Sequence, residues 1–317
     1  MHEALSVRPV RQRKALWWLT EGTSAGMARR KALLAYLFLL PTILGILVFT
    51  AGPVLFSLGL SLFSWDVISP PSFVGMANYQ QFLVDPEGLK SFGNTAIYVV
   101  LDVTLQLVVG LILALAMQRK MRAWLRYLFR SAFFLPLIAS GAAVSIVMGF
   151  LFNQDLGAVN YYLRLVHLPS IPWLTSASWA MVTVVLTSVW QQMGFTFLVF
   201  TGGLGTISAD VLDAADVDGA GGWRRLWYVT LPMLSPTILF VVVVGVIGAL
   251  QVFTEPYVLT NGGPGDATRT VVMTIYQAAF QNLQIGYGSA LAVLLFGVIM
   301  VVTAVQFLLS RSWVFYQ

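Results

Sequence analysis

The sequence predicts an all-α integral membrane protein, a six-helix transmembrane bundle with both termini cytoplasmic, on three observations. Of 317 residues, 58% are hydrophobic and 10% charged, a balance that would leave far too much apolar surface facing water in an ordinary soluble domain. Five stretches carry no Asp, Glu, Lys or Arg: Ala32 to Trp65, Ser131 to Gln154, Leu165 to Ala209, Leu226 to Thr254 and Thr270 to Ser310. Each exceeds the roughly 20 residues that cross a ~30 Å hydrocarbon layer. Of the 18 lysines and arginines, all but Lys90, Arg164 and Arg269 fall in segments assigned to one side, which satisfies the positive-inside rule.

In chain order the spans are expected near Leu33–Phe63, Asn94–Met117, Ala132–Phe152, Trp179–Phe200, Thr237–Val258 and Tyr287–Leu309. A basic segment over 1–31 carries Arg8, Arg11, Arg13, Lys14, Arg29, Arg30 and Lys31, and a six-span domain over 32–317 follows it. The first apolar run is too long for a signal-peptide core and shows no cleavage site, so it reads as a retained anchor. It is also too long for one straight perpendicular crossing, which predicts a tilt or a bend near Pro41 or Gly52-Pro53. Arg119, Lys120, Arg122, Arg126 and Arg130 hold the connection to the third span on the cytoplasmic side. On the other side, Trp65, Tyr79, Trp173 and Tyr276 suit an interfacial aromatic belt, with turns at Pro70-Pro71, Pro169, Pro172 and Gly262-Gly263-Pro264-Gly265. The net charge of +5 therefore reports membrane topology and not nucleic-acid binding.

Composition also excludes chemistry. Cysteine is absent and the histidines are His2 and His167, which removes thiolate chemistry, disulfides and structural zinc. No catalytic constellation lies within the spans. A phosphate-binding loop needs Lys directly after Gly, and none of Lys14, Lys31, Lys90 and Lys120 follows a glycine. The chain is therefore expected to be no enzyme and to bind no cofactor of its own.

The most informative segment is the cytoplasmic loop at about 203–232. Ser208 or Asp210 suits the cap of a short helix, with Asp213 near its positive end, and Gly219, Gly221 and Gly222 suit its termination. Ala214 and Ala215 offer a small-residue face for a docking partner. Trp223, Leu226 and Trp227, flanked by Arg224 and Arg225, fit equally well an amphipathic segment at the lipid headgroups.

Asp213-Ala214-Ala215, Gly219, Val229 and Leu231-Pro232 resemble, spacing for spacing, the cytoplasmic signature of binding-protein-dependent permeases of ABC importers. That signature reads Glu-Ala-Ala, three residues, Gly, nine residues, Ile, one residue, Leu-Pro; here Asp stands for Glu and Val for Ile. The segments Phe73-Val-Gly75-Met-Ala-Asn78-Tyr79, Asn94-Thr95, Phe134-Leu-Pro136, Gly157-Ala-Val-Asn160 and Gly262-Gly-Pro264 resemble the carbohydrate branch, of the maltose and glycerol-3-phosphate type. The resemblance implies a bacterial inner-membrane location and a coupling helix at 209–221. It implies a second homologous permease, two cytoplasmic ATPase subunits that bind ATP and Mg, an extracytoplasmic solute-binding protein, and transport by alternating access.

Within the spans, Asp102 is the formal charge set deepest, and an unpaired buried charge is costly, so it is expected to face a polar cavity or a partner. Gln106, Gln191, Gln192, Asn153 and Gln251 are suited to sugar hydroxyls, with Trp190 or Phe253 as stacking faces. Helix-to-helix hydrogen bonding explains the same residues. Glu255-Pro256-Tyr257 marks the outer end of the fifth span. An ion-coupled secondary transporter is the alternative function, although such a protein usually buries more ionisable groups.

Overall fold

The computed structural model describes residues 24–118 and 121–315, with side chains from Lys31 onward. Arg8, Arg11, Arg13, Lys14, Arg119 and Lys120, and the side chains of Arg29 and Arg30, lie outside the described residues. Among the described residues, four helices are long and apolar enough to cross a membrane, and two bent helix pairs raise the number to six if each is one span. The chain divides into two compact units, Met1–Phe56 and Ser57–Gln317.

In the first unit, α1 (Ser24–Ile46) leads through a π-helical turn over Leu47–Ala51 into α2 (Gly52–Leu60), which runs across the division. From Lys31 to Leu60 the run is 30 residues long, about 45 Å at 1.5 Å per residue. A π turn stands directly before Gly52-Pro53, one of the two places where a bend was expected. Pro53 has no N–H to continue the α ladder, and a Cβ at Gly52 would lie 2.9 Å from the Leu47 carbonyl oxygen. Phe38 and Phe49 each expose 81% of their surface, which lipid tails accept at no cost.

The second unit opens with a hairpin of β1 (Phe63–Ser64) and β2 (Ser72–Phe73), antiparallel with Phe63 opposite Phe73, and with α3 (Ala77–Val84). Asn78 ties them together, donating from Nδ2 to Ser61 O at 2.8 Å and to Phe63 O at 2.9 Å. The core lies where α4 (Pro86–Gln118) packs on α8 (Ala177–Gly205) and on α12 (Ser235–Leu250). Tyr98, Val184, Phe197 and Phe200 are fully buried there. α5 (Ala123–Ile138) also packs on α8, and a Cβ at Gly194 would collide with the Phe133 carbonyl.

The third predicted span, Ala132–Phe152, is not one continuous helix. α5 and α6 (Gly141–Leu151) meet at 104°, because Pro136 removes a backbone donor and Ala139 and Ser140 take extended conformations. The fifth, Thr237–Val258, is also divided: α12 ends at Leu250, and α13 (Thr254–Thr260) begins after a turn. α15 (Ile285–Ser310) matches its prediction within two residues and packs on α14 (Val271–Tyr276). Beyond α15, the Phe315 N–H donates to Ser235 Oγ at 3.0 Å, which sets the end of the described chain beside the start of α12.

Two of the expected belt aromatics are held by neighbouring side chains, one buried and one half-buried. Trp173 is buried and donates from Nε1 to Asn160 Oδ1 at 3.0 Å. Tyr276 packs against both Phe253 and Tyr257, with centroid distances of 5.3 and 5.7 Å.

Candidate functional site

The loop between α8 and α12 contains α9 (Ala209–Val217) and a one-turn α10 (Trp223–Arg225). Ser208 caps α9, its Oγ accepting from Val211 N at 3.4 Å. The helix closes at Val217, short of the expected 221. Gly219 N donates to Asp216 O at 3.2 Å and Ala220 N to Ala215 O at 2.9 Å, a Schellman closure that requires the left-handed backbone seen at Gly219, φ +77°. Asp210, Asp213, Ala214 and Val217 are exposed at helical spacing i, i+3, i+4, i+7, and Val217 keeps 88% of its surface open. Ala215 turns inward and is buried, so the two alanines do not share one docking face as expected. Val229, in a π-helical segment, and Leu231 and Pro232, in a one-turn α11 (Leu231–Met233), are half-buried ahead of α12.

Arg225 braces α9 from α10, reaching both Asp216 carboxylate oxygens at 2.9 and 2.8 Å. Both side chains are substantially solvated, and such pairs contribute about 0–1 kcal/mol. Arg225→Ala should accordingly lower the unfolding temperature of the purified chain by no more than about 2 °C; a larger drop would show that the brace carries more than a surface pair.

A cavity of about 450 Å³ opens between α4, α8 and the α12–α13 turn. Tyr98, Asp102 and Gln106 form one stripe of α4 at i, i+4, i+8, faced by Ser188 and Gln192 of α8. Gln251, Phe253 and Glu255 close the cavity from the turn and α13. Asp102 is 2% exposed. Its Oδ2 accepts from Gln106 Nε2 at 2.7 Å, whereas its buried Oδ1 makes no hydrogen bond of acceptable geometry beside Tyr98 and Ser188. Phe253 stacks on Tyr257, with centroids 4.9 Å apart and planes 19° apart, which fixes a flat apolar wall.

The structure thus brings Asp102, Gln106, Gln192, Gln251 and Phe253 together and leaves three expected residues outside. Gln191 donates from Nε2 to Ala139 O at 3.2 Å, so it serves the backbone group freed by the α5–α6 break. Trp190 is 40% exposed and off the cavity. Asn153 accepts from Asp155 N and Leu156 N, each at 3.0 Å, in an Asx turn. Sequence reasoning missed Tyr98 and Ser188; the i, i+4 spacing of Tyr98 before Asp102 was a signal that would have found the first.

Most other resemblance segments hold loops. Asn94 Nδ2 donates to Asp266 O at 2.6 Å and Arg269 O at 3.0 Å. Asn160 donates to Gln154 O and Ile171 O and accepts from Ile171 N and Trp173 Nε1.

Comparison with known proteins agrees with this arrangement. The fold matches the crystal structure of a bacterial ABC transporter for alginate in complex with an alginate pentasaccharide-bound periplasmic protein, with TM-score 0.79 and 22% identity over 89% of this chain and 96% of that one. In sequence, the chain is 33% identical to a probable ABC transporter permease protein, YurN, of Bacillus subtilis over 84% of this chain and 92% of that protein. It is 35% identical to the sulfoquinovosyl glycerol transport system permease protein SmoG of Agrobacterium fabrum over 88% and 91%. It is 33% identical to the sn-glycerol-3-phosphate transport system permease protein UgpA of the same organism over 90% and 97%. Since residues 106–314 match the family as well, the chain belongs to the binding-protein-dependent transport system inner membrane components.

Proposed function

We propose that this chain is one of two permease subunits of an ATP-driven importer for a carbohydrate or a related polyol or glycerol-phosphate compound. Six spans with both termini cytoplasmic would carry the cavity, and alternating access would expose it to each side in turn. The observation that carries the reading is the signature Asp213-Ala214-Ala215, Gly219, Val229, Leu231-Pro232 folded as a capped helix with an open face. On this reading α9 is the coupling helix, which sits in a cytoplasmic ATPase subunit and passes nucleotide-driven closure to α8 and α12. ATP and Mg belong to two such subunits, and an extracytoplasmic binding protein delivers the solute. The Phe315–Ser235 hydrogen bond supports one side for the C-terminus and the coupling loop. Family membership leaves the ion-coupled alternative without support.

The test is affinity purification from native membranes in mild detergent, with mass spectrometry of the co-purifying chains and an assay of ATP hydrolysis. A P-loop ATPase and a second permease should co-purify. A lone chain without hydrolysis, under conditions that preserve a control importer, would overturn the assignment.

A further inference from the structure

The cavity has a charge character that narrows the solute class, and the argument rests on the reading of the cavity as part of the solute path. Its wall holds the carboxyl groups of Asp102 and Glu255 with the neutral polar groups of Tyr98, Gln106, Ser188 and Gln251. Among the described residues, no lysine, arginine or histidine lines it. The basic side chains of the neighbouring outer loops are engaged elsewhere: Arg269 pairs with Glu87 and Asp266, each at 2.8 Å, and Lys90 donates to Gly265 O at 2.6 Å.

We propose that the cavity admits uncharged polyhydroxy solutes, neutral sugars or polyols, and excludes sugar phosphates, uronates and sulfonates, with Asp102 and Glu255 setting that preference. An ionised carboxylate only accepts hydrogen bonds. The carboxylates of Asp102 and Glu255 that line the cavity therefore suit a solute that brings O–H donors. An anion brings further acceptors, gains no cation to pair with and adds like-charge repulsion inside a low-dielectric wall, where fields are focused. The Phe253 ring, held by Tyr257, supplies the apolar face against which the C–H side of a pyranose packs. The volume of about 450 Å³ lies within the roughly 300–1,000 Å³ usual for small-molecule sites.

The native chain has no cysteine, and Gly248 lines the cavity at a position where an added Cβ meets nothing within 4 Å. Gly248→Cys thus places a single thiol in the wall. In the assembled complex, its modification rates by a cationic trimethylammonium methanethiosulfonate and by an anionic sulfonate analogue are read as mass shifts on this chain and normalised to a free thiol in solution. The normalised cation-to-anion ratio should be about ten-fold or more, and should fall towards unity when Asp102→Asn and Glu255→Gln are added. Gln251→Cys serves the same purpose if Gly248→Cys does not assemble. A ratio at or below unity, a ratio unmoved by the two neutralising replacements, or a thiol closed to both reagents would overturn the proposal. The rates are measured without a binding protein, solute or ATP, so the cavity's charge preference stands or falls separately from the importer assignment, which fails only if no ATPase joins the complex.

Discussion

Gly219→Val should reduce ATP-driven uptake in membrane vesicles by about thirty- to hundred-fold while leaving the chain inserted. Gly219 takes φ +77° to close α9, and a Cβ there meets nothing within 4 Å, so the penalty is one of backbone conformation and not of crowding. A β-branched residue in the left-handed region costs about 2–3 kcal/mol, and each 1.4 kcal/mol is about a tenfold change in population. α9 has little with which to resist that cost: Ala215 is its fully buried residue, and its brace to Arg225 is solvated. The last turn should open, and the face formed by Asp213, Ala214 and Val217 should lose its register. Gly219→Asn should recover most of the uptake, since asparagine tolerates the same backbone. Co-purification of the ATPase subunits should follow the same order across the three proteins. Uptake by Gly219→Val equal to the native level would remove α9 from the coupling role.

The sequence made the apolar helices legible because a bilayer demands a contiguous apolar run, and α8 and α15 each enclose the predicted span with only a few residues to spare. It concealed the breaks. At Ala139-Ser140 and at Gln251 to Phe253 the chain turns while still apolar on both sides, and hydropathy records composition but not direction. Gln191 and Gln192 show the same limit within the site. They are adjacent and chemically identical, yet a rotation of about 100° per residue along α8 sends one to the Ala139 carbonyl and the other to the cavity. Asp102 was the easier inference, because the cost of burying a charge in a membrane does not depend on which helix faces it. Trp190 was misread for a related reason: its size suggested a stacking surface, but its position on α8 leaves it 40% exposed.

The carbohydrate-branch segments also divide by physical role. Asn78, Asn94 and Asn160 each use one short amide to bind backbone groups from two places in the chain. They organise loops and do not line the cavity. A resemblance carried by such residues therefore speaks for the architecture of these loops, and on the proposed reading the choice of solute rests on the differently placed Asp102, Gln251 and Phe253.

Asn160→Ala should accordingly act on stability before it acts on transport. Asn160 is 0% exposed, donates to Gln154 O at 2.8 Å and Ile171 O at 2.9 Å, and accepts from Ile171 N at 3.1 Å and Trp173 Nε1 at 3.0 Å. Truncation strips four bonds and strands the Trp173 indole N–H in a buried setting, between Phe152 and Trp179 with centroids 5.2 and 5.1 Å away. Each stranded buried group costs about 1–3 kcal/mol, and water entering the vacated space would recover part of that. A net loss of about 3–4 kcal/mol corresponds to a fall of roughly 5–6 °C in the unfolding temperature of the purified protein. The uptake rate per folded molecule should change by less than about twofold, because no cavity group is touched and 0.4 kcal/mol is already a factor of two. An unchanged unfolding temperature would mean that solvent replaces all four bonds and that the loop over 153–176 is held by its aromatic contacts instead. A large loss of transport at unchanged stability would place Asn160 in the transport step itself.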